Sequence, residues 1–220
     1  MSVLAVVLGS VGAADLVHRW RHLTALFVLV VGSLALGAGW HTLWIAVVGL
    51  IVVVVWLDAA RHDSSAGIVV LGVVVAGVLM ASPVLQFDDA PLARWYQDLP
   101  VPGLATVPIE RAALGLGVLL FLTTAANVVV RRALGSVGAL VLAEEKSLKG
   151  GRLLGPMERW LVFGFTVGGH VGALAALVAA KGILRFPEIS RDDPDGLRAE
   201  YVLVGSFVSW TLALLPAVLF

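Results

Sequence analysis

The sequence predicts an all-α fold, a polytopic bundle of about seven transmembrane helices, with six spans as the alternative. Of its 220 residues, 60% are hydrophobic and 14% are charged, and the mean hydropathy is +0.99. Soluble chains are roughly 25% charged. The apolar runs approach the length of about 20 residues that a membrane crossing needs. Together these observations exclude a soluble globular domain, a disordered chain and a coiled coil.

Charge and cysteine content exclude further classes. The 15 Lys and Arg residues balance the 15 Asp and Glu residues, so no basic field favours nucleic acid as a partner. The chain has no cysteine, which removes disulfides, thiolate nucleophiles and cysteine-based metal sites. The GxSxG, P-loop and GxGxxG patterns of soluble enzymes are also missing from the sequence.

Seven apolar runs define the predicted spans within a single membrane domain. They lie near residues 2–17, 23–40, 43–60, 66–83, 112–130, 157–181 and 200–220. The first run is the shortest and would reach only about 24 Å. We interpret it as a retained helix, because Arg19 and Arg21 follow it, whereas a signal peptide carries its basic residues in front.

Two segments between the spans have their own character. Residues 84–111 contain four prolines, which predicts an outer loop with a short amphipathic turn near Pro91 and not a continuous helix. Residues 131–156 place apolar residues at helical spacing before a charged stretch, which predicts an interfacial helix on the cytoplasmic side. The pairs Gly150-Gly151 and Gly155-Pro156 then predict a break before the sixth span.

The distribution of basic residues predicts the orientation. With the N-terminus outside and the C-terminus inside, nine of the 15 Lys and Arg residues fall in cytoplasmic segments and six fall outside. The segment 181–198 opposes this bias, because its basic residues fall on the outer side. Six of the seven tryptophans lie near predicted membrane boundaries, where indole rings prefer to sit, and Trp210 alone lies inside a span.

Ionisable residues near the inner ends of the first and third spans are candidate ligands of a divalent metal ion. Asp15 and His18 share one helical face, and Asp58 and His62 are spaced i, i+4 on another helix. Carboxylate and imidazole groups are suitable ligands for zinc or a related ion. The alternative, which we favour, is simple pairing of each aspartate with a neighbouring arginine.

Polar residues also occur inside the fifth and sixth spans. Asn127 and His170 could line a polar path, or they could be satisfied by neighbouring helices. Gly164, Gly168 and Gly172 recur every four residues, which predicts one face for close helix packing, within a subunit or between subunits.

The C-terminal third resembles a family of uncharacterised bacterial and phage multi-pass membrane proteins. Three segments carry the resemblance, GRLLGPMER at 151–159, AAKGILRF at 179–186 and EYVLVGS at 200–206. The family patterns are G-R-x-x-G-x-x-E-R, A-A-K-S-x-x-R-F and E-Y-V-L-x-G-T-x-x-S. Gly182, Ser206 and His170 depart from them, standing where serine, threonine and glutamine are usual.

The resemblance implies an inner-membrane location and a set of polar residues, but it implies no activity. Carried over by position, this set is Arg152, Glu158, Arg159, Lys181, Arg185, Glu200, Tyr201 and Ser209, with Asn127 and Arg131 as an upstream N-x-x-x-R element. Arg152, Glu158 and Arg159 are expected at the cytoplasmic start of the sixth span. Lys181 or Arg185 is expected to pair with Glu200 at its outer end, in a salt-bridge cluster or a lipid-phosphate site.

Three functions stay open from the sequence. The first is a protein that binds or conducts a lipid, ion or small solute within the helix bundle. The second is an intramembrane metal-dependent enzyme that acts on a lipid or isoprenoid substrate. The third is an accessory subunit of a membrane complex. Membrane lipid, a second copy of the chain or a complex subunit are the expected partners.

Overall fold

The computed structural model describes residues 1–16, 21–36, 40–62, 64–81, 91–101, 103, 106–135, 151–189 and 197–220. In these residues all regular structure is helical, which confirms the all-α prediction. The helices are α1 (Ser2–Leu16), α2 (Arg21–Leu36), α3 (Trp40–Arg61), α4 (Ala66–Ala81), α5 (Pro91–Gln97), α6 (Ile109–Thr123), α7 (Ala125–Gly135), α8 (Gly151–Val167), α9 (Val171–Ile189) and α10 (Leu197–Ala217).

The helices follow the predicted spans, but few of them meet the length and composition expected of a crossing. Within the described ranges, Ala199–Ala217 meets both, and a second crossing results if α6 and α7 form one broken span. Four other apolar stretches are shorter, Ser2–Ala14, His22–Ala35, Ala46–Ala59 and Ala66–Ala81. The seven-span arrangement is therefore not confirmed and stays a prediction.

The chain divides into two compact units, the first unit Met1–Ala125 and the second unit Ala126–Phe220. In the first unit α1 is central, packing against α2, α3 and α6, and every residue from Ser2 to Ala14 is buried. The approach of α6 is close enough that a Cβ on Gly117 would lie 2.5 Å from the carbonyl oxygen of Ala5. Thr124 adds a hydrogen bond from its Oγ1 to the carbonyl of Gly12 at 2.6 Å.

The second unit contains a helical hairpin where the sequence predicts one continuous sixth span. α8 ends at Val167, and α9 begins at Val171. The amide of Gly169 donates to the carbonyl of Thr166 at 3.1 Å, and the amide of His170 donates to that of Phe165 at 2.8 Å. These are the two bonds of a Schellman motif, in which the residue after the helix adopts the left-handed region. Gly169 does so with φ +70°, because glycine has no Cβ to oppose that conformation.

The structure corrects two sequence interpretations in this unit. Gly164, Gly168 and Gly172 do not share one helix face, since Gly168 lies in the turn and Gly172 follows it. In addition, α8 begins at Gly151 and continues through Pro156, so the break expected at Gly155-Pro156 is not formed. Residues 136–150 of the predicted interfacial helix lie outside the described residues, and its two ends belong to α7 and α8.

Candidate functional site

A layer of polar and charged side chains crosses the middle of the second unit. Arg159 is the central residue of the 17-residue α8, Lys181 lies one residue past the centre of the 19-residue α9, and Ser209 lies two past the centre of the 21-residue α10. We call this set the polar layer, and its members are Asn127, Glu158, Arg159, Lys181, Ser209 and Trp210. The hairpin turn creates the layer, because it folds α9 back along α8.

One half of the polar layer is an ion pair whose carboxylate also accepts a hydrogen bond from an indole group. The Nζ of Lys181 lies 2.6 Å from Oε1 of Glu158 and 2.8 Å from its Oε2. The Nε1 of Trp210 donates to Oε1 of the same carboxylate at 2.7 Å, and the ammonium lies 5.1 Å from the centre of the Trp210 ring. The side chains of Lys181 and Glu158 are only 18% and 14% exposed. Three helices thus converge on one shielded carboxylate.

The other half of the polar layer surrounds the guanidinium of Arg159, which is 2% exposed. Its Nη2 donates to Oδ1 of Asn127 on α7, and its Nη1 donates to Oγ of Ser209 on α10 at 3.5 Å. A buried cation is expensive unless polar groups surround it, which explains why an amide and a hydroxyl point towards it. Asn127 therefore serves as an acceptor for a charged group.

The six side chains of the polar layer carry two cations, Arg159 and Lys181, and one carboxylate, Glu158. Their formal sum is +1, in a part of the unit where the helices are otherwise apolar. The carboxylate is already bonded to Lys181 and Trp210. The chemistry of the layer therefore favours an additional anion over an additional cation.

The structure brings together five of the predicted polar residues, Asn127, Glu158, Arg159, Lys181 and Ser209. Of the others, Tyr201 is buried, Arg185 is half-buried and Glu200 is exposed. Arg152 lies on the second position of α8, where its side chain is outside the described set. Of the two residues expected to pair with Glu200, Lys181 instead pairs with Glu158 across the hairpin, and the pairing of Arg185 with Glu200 stays a prediction.

His170 is the residue that the structure separates from the others. It lies exposed in the hairpin turn, where its carbonyl accepts from the amide of Leu174 at 3.0 Å, as the residue before α9 does. Asn127 instead contacts Arg159, and a polar path that includes both Asn127 and His170 stays a prediction. The Schellman turn takes His170 out of the middle of a helix and puts it at a helix end.

The predicted metal ligands are only partly described. Asp58 and His62 lie at the exposed end of α3, with His62 Nδ1 at 3.3 Å from Oδ1 of Asp58 and exposed fractions of 71% for His62 and 64% for Asp58. His18 and the side chain of Asp15 lie outside the described residues. Among the residues that are described, no three His, Asp or Glu side chains are grouped so as to hold a metal ion. The metal site stays a prediction.

The predicted polar set included Ser209 but did not include Trp210. The signal for Trp210 was present, since it is the one tryptophan placed inside a predicted span. An indole N–H has no partner in lipid, so an interior tryptophan indicates a nearby acceptor. That acceptor is Glu158.

The first unit carries an open apolar cleft of about 690 Å³ between α1, α2 and α6. Among the described residues that line it, the polar side chain is that of Thr24, which donates to the carbonyl of Ala13 at 3.3 Å. Such a lining suits an acyl chain better than a charged solute.

No family model matches this chain, and neither a curated protein nor a solved structure matches it.

Proposed function

We propose that the chain is a multi-pass protein of the cytoplasmic membrane that binds or conducts a small solute or ion at the polar layer. The observation that carries the proposal is the placement of Glu158, Arg159 and Lys181 at the middles of α8 and α9, where they contact one another and residues of α7 and α10. Ionisable groups inside a membrane protein are costly, and they commonly mark a substrate or ion pathway.

Support for the membrane location comes from the exposed apolar side chains. Met80, Val218, Ile183 and Phe27 are 85%, 82%, 75% and 67% exposed, and many other large hydrophobic residues are similarly placed. Large apolar side chains exposed in such number are unusual on a protein that faces water. Only 17% of the Ala199–Ala217 stretch is buried, so this helix does not resemble the core helix of a soluble protein. A surrounding bilayer provides the missing apolar contacts.

The depth of the polar layer follows from α10. Ser209 is next to the centre of Ala199–Ala217, the stretch long enough to cross. With this stretch as a span, the polar layer lies near the bilayer midplane. A charged side chain at that depth is unfavourable by about 2.5–3.5 kcal/mol on insertion scales, which the contacts within the layer must offset.

The formal charge of the layer defines the ligand class. The guanidinium of Arg159 donates to Asn127 and Ser209 and is close to Glu158, whose carboxylate is shared with Lys181, so the two cations and one carboxylate leave a formal charge of +1. Its planar fork matches a carboxylate or a phosphoryl group. We therefore assign an anionic group to the solute. Membrane lipid is the surrounding partner, and assembly into an oligomer stays a prediction.

The test is native mass spectrometry of the protein extracted in mild detergent, with metal analysis of the same sample. We expect a small anionic molecule retained by the native chain and by Arg111→Gln, whose side chain is exposed on α6, and lost from Arg159→Gln. Arg159→Lys keeps the charge and shows whether the planar fork is needed.

A flux measurement tests for a solute that passes through the protein without staying bound during extraction. In proteoliposomes under a potassium chloride gradient, the native chain should give an anion-selective reversal potential that Arg159→Gln abolishes. If the native chain retains no anion and gives no current above that of empty liposomes, the proposal is contradicted. A metal that is lost in Asp58→Ala would favour the metal-dependent enzyme instead.

A further inference from the structure

The carboxylate of Glu158 lies where hydrogen-bond donors for an anion converge in the polar layer. Its Oε1 and Oε2 are 2.6 and 2.8 Å from the ammonium of Lys181, and Oε1 also accepts from the indole N–H of Trp210 at 2.7 Å. An ammonium and an N–H donor from two neighbouring helices are also the groups that bind the carboxylate or phosphoryl group of a solute. The side chain of Glu158 is therefore a chemical equivalent of the ligand proposed for this layer.

The two cations of the polar layer differ in accessibility. The side chains of Lys181 and Glu158 are 18% and 14% exposed, whereas Arg159 is 2% exposed and is enclosed by Asn127 and Ser209. The ammonium of Lys181 is thus the more accessible cation, and Glu158 already neutralises it. An incoming anion and the carboxylate of Glu158 have use for the same positive charge.

We propose that Glu158 competes with the solute anion for the cations of the polar layer, and that a proton taken up by Glu158 is bound together with the anion. This competition rests on the proposed anion site and makes its occupancy proton-linked. With Glu158 ionised, the layer has a formal charge of +1, and with Glu158 protonated it has +2 and the ammonium of Lys181 is released for the solute. The proton comes from the aqueous phase, and one proton with one monovalent anion adds no net charge.

The groups that face Glu158 come from three helices. α9 supplies Lys181, α10 supplies Trp210, which does not titrate, and α8 itself supplies Arg159, whose charge is close to Glu158. α7 reaches the layer through the neutral amide of Asn127. Lysine and arginine keep their protons far above neutral pH. Among these contacting groups, Glu158 is therefore the one that mild acid neutralises.

The affinity for the anion should fall as the pH rises. An anion beside a carboxylate favours the protonated form of that carboxylate, and by reciprocity the protonated form favours the anion. The anion-bound protein thus binds more protons than the free protein does. One linked proton limits the change in affinity to about tenfold per pH unit.

Chloride is a suitable probe, because its charge does not change with pH. Isothermal titration calorimetry of the full chain in mild detergent gives the affinity at about pH 7 and at about pH 4.5, within the ordinary titration range of glutamate. Repeating the titration in two buffers with different heats of ionisation counts the protons taken up with each chloride. We expect the native chain to bind chloride several-fold more tightly at the lower pH, with uptake of protons.

Three variants isolate the contribution of the carboxylate. Glu158→Gln keeps an acceptor for Trp210 but removes the charge, so at neutral pH it should bind chloride several-fold more tightly than the native chain. The double variant Lys181→Met, Glu158→Gln keeps the formal charge of +1 and leaves no unpaired ammonium. Because it also retains His170, a loss of its pH dependence is assigned to the carboxylate. Glu200→Gln removes an exposed carboxylate on α10 and should behave like the native chain.

Two results overturn the competition. One is a double variant with the same pH dependence and proton uptake as the native chain, and the other is a Glu158→Gln protein that binds chloride no more tightly than Glu200→Gln. In both cases chloride is still bound, so the proposed function stands. A native chain that binds no chloride at either pH instead defeats the anion site itself, and the two failures are therefore distinguishable.

Discussion

The ammonium group of Lys181 lies 2.6 Å from the carboxylate of Glu158, although 23 positions separate the two residues in the chain. On a single straight helix these residues would be about 35 Å apart at 1.5 Å per residue. Their contact therefore requires the turn at Gly168–His170, and it ties α8 to α9 at the level of Trp210. Fold and candidate site depend on the same ion pair.

Removing one charge of this pair should destabilise the second unit more than removing both. Lys181→Met leaves the carboxylate of Glu158 shielded and without its cation, and a buried pair broken in this way costs about 3 kcal/mol. The double variant Lys181→Met, Glu158→Gln leaves no unpaired charge and should recover most of the loss. The free energy of unfolding, measured by titration with a denaturing detergent, gives the comparison. Equal losses in the single and double variants would contradict the ion pair.

Two substitutions of Asn127 should have different effects on the free energy of unfolding and on ligand binding. Asn127→Leu removes the acceptor of Arg159 and should lower the free energy of unfolding by about 1–3 kcal/mol, since a buried donor loses its partner. Asn127→Asp supplies a carboxylate at the same place and should preserve stability. This aspartate also neutralises the layer, so Asn127→Asp should fail to retain the anion in native mass spectrometry. Full retention by Asn127→Asp would argue against an anion site.

Substitution of Gly169 in the hairpin turn should destabilise the protein, whereas substitution of Gly172, which follows the turn on α9, should not. Gly169→Ala places an L side chain at φ +70° and should destabilise the protein by about 1–2 kcal/mol. Asparagine tolerates this conformation better, so Gly169→Asn should lose less. Gly172→Ala is the control, because a Cβ there meets nothing within 4 Å and alanine favours the helix by up to about 1 kcal/mol. The midpoints of thermal unfolding of the three variants give the order of their stabilities. A Gly169→Ala protein as stable as Gly172→Ala would refute the Schellman turn.

The first unit should depend on the close approach of α1 and α6. Gly117→Ala puts a methyl group 2.5 Å from the carbonyl oxygen of Ala5, and because that atom belongs to the backbone, α1 has to move. Such overpacking costs typically about 1–3 kcal/mol. Gly77→Ala on α4 meets no atom within 4 Å and serves as the matched control. Thermal unfolding that is unchanged in Gly117→Ala would show that the two helices are less closely packed.

Composition and local pattern were sufficient to predict that the described regular structure is helical, but not that the predicted sixth span is two helices. Long apolar runs with few charges form helices because their backbone groups are satisfied within the segment, and this condition needs no distant partner. The same reasoning marked Asn127 as unusual, since an amide group is expensive in apolar surroundings, whereas Glu158, Arg159 and Lys181 were implied by the family resemblance. The sequence by itself thus determined the fold class and much of the residue set of the polar layer.

The tertiary structure alone decided which of these residues meet. A glycine pair such as Gly168-Gly169 is compatible with two outcomes, a close-packed continuous helix or a left-handed helix end, because glycine lacks the Cβ that would exclude either. The second outcome folds α9 along α8, which lets Lys181 reach Glu158 and leaves His170 at the turn. This choice depends on contacts between residues more than twenty positions apart. Such contacts leave no periodic trace in the sequence, and so the pairing could only come from the structure.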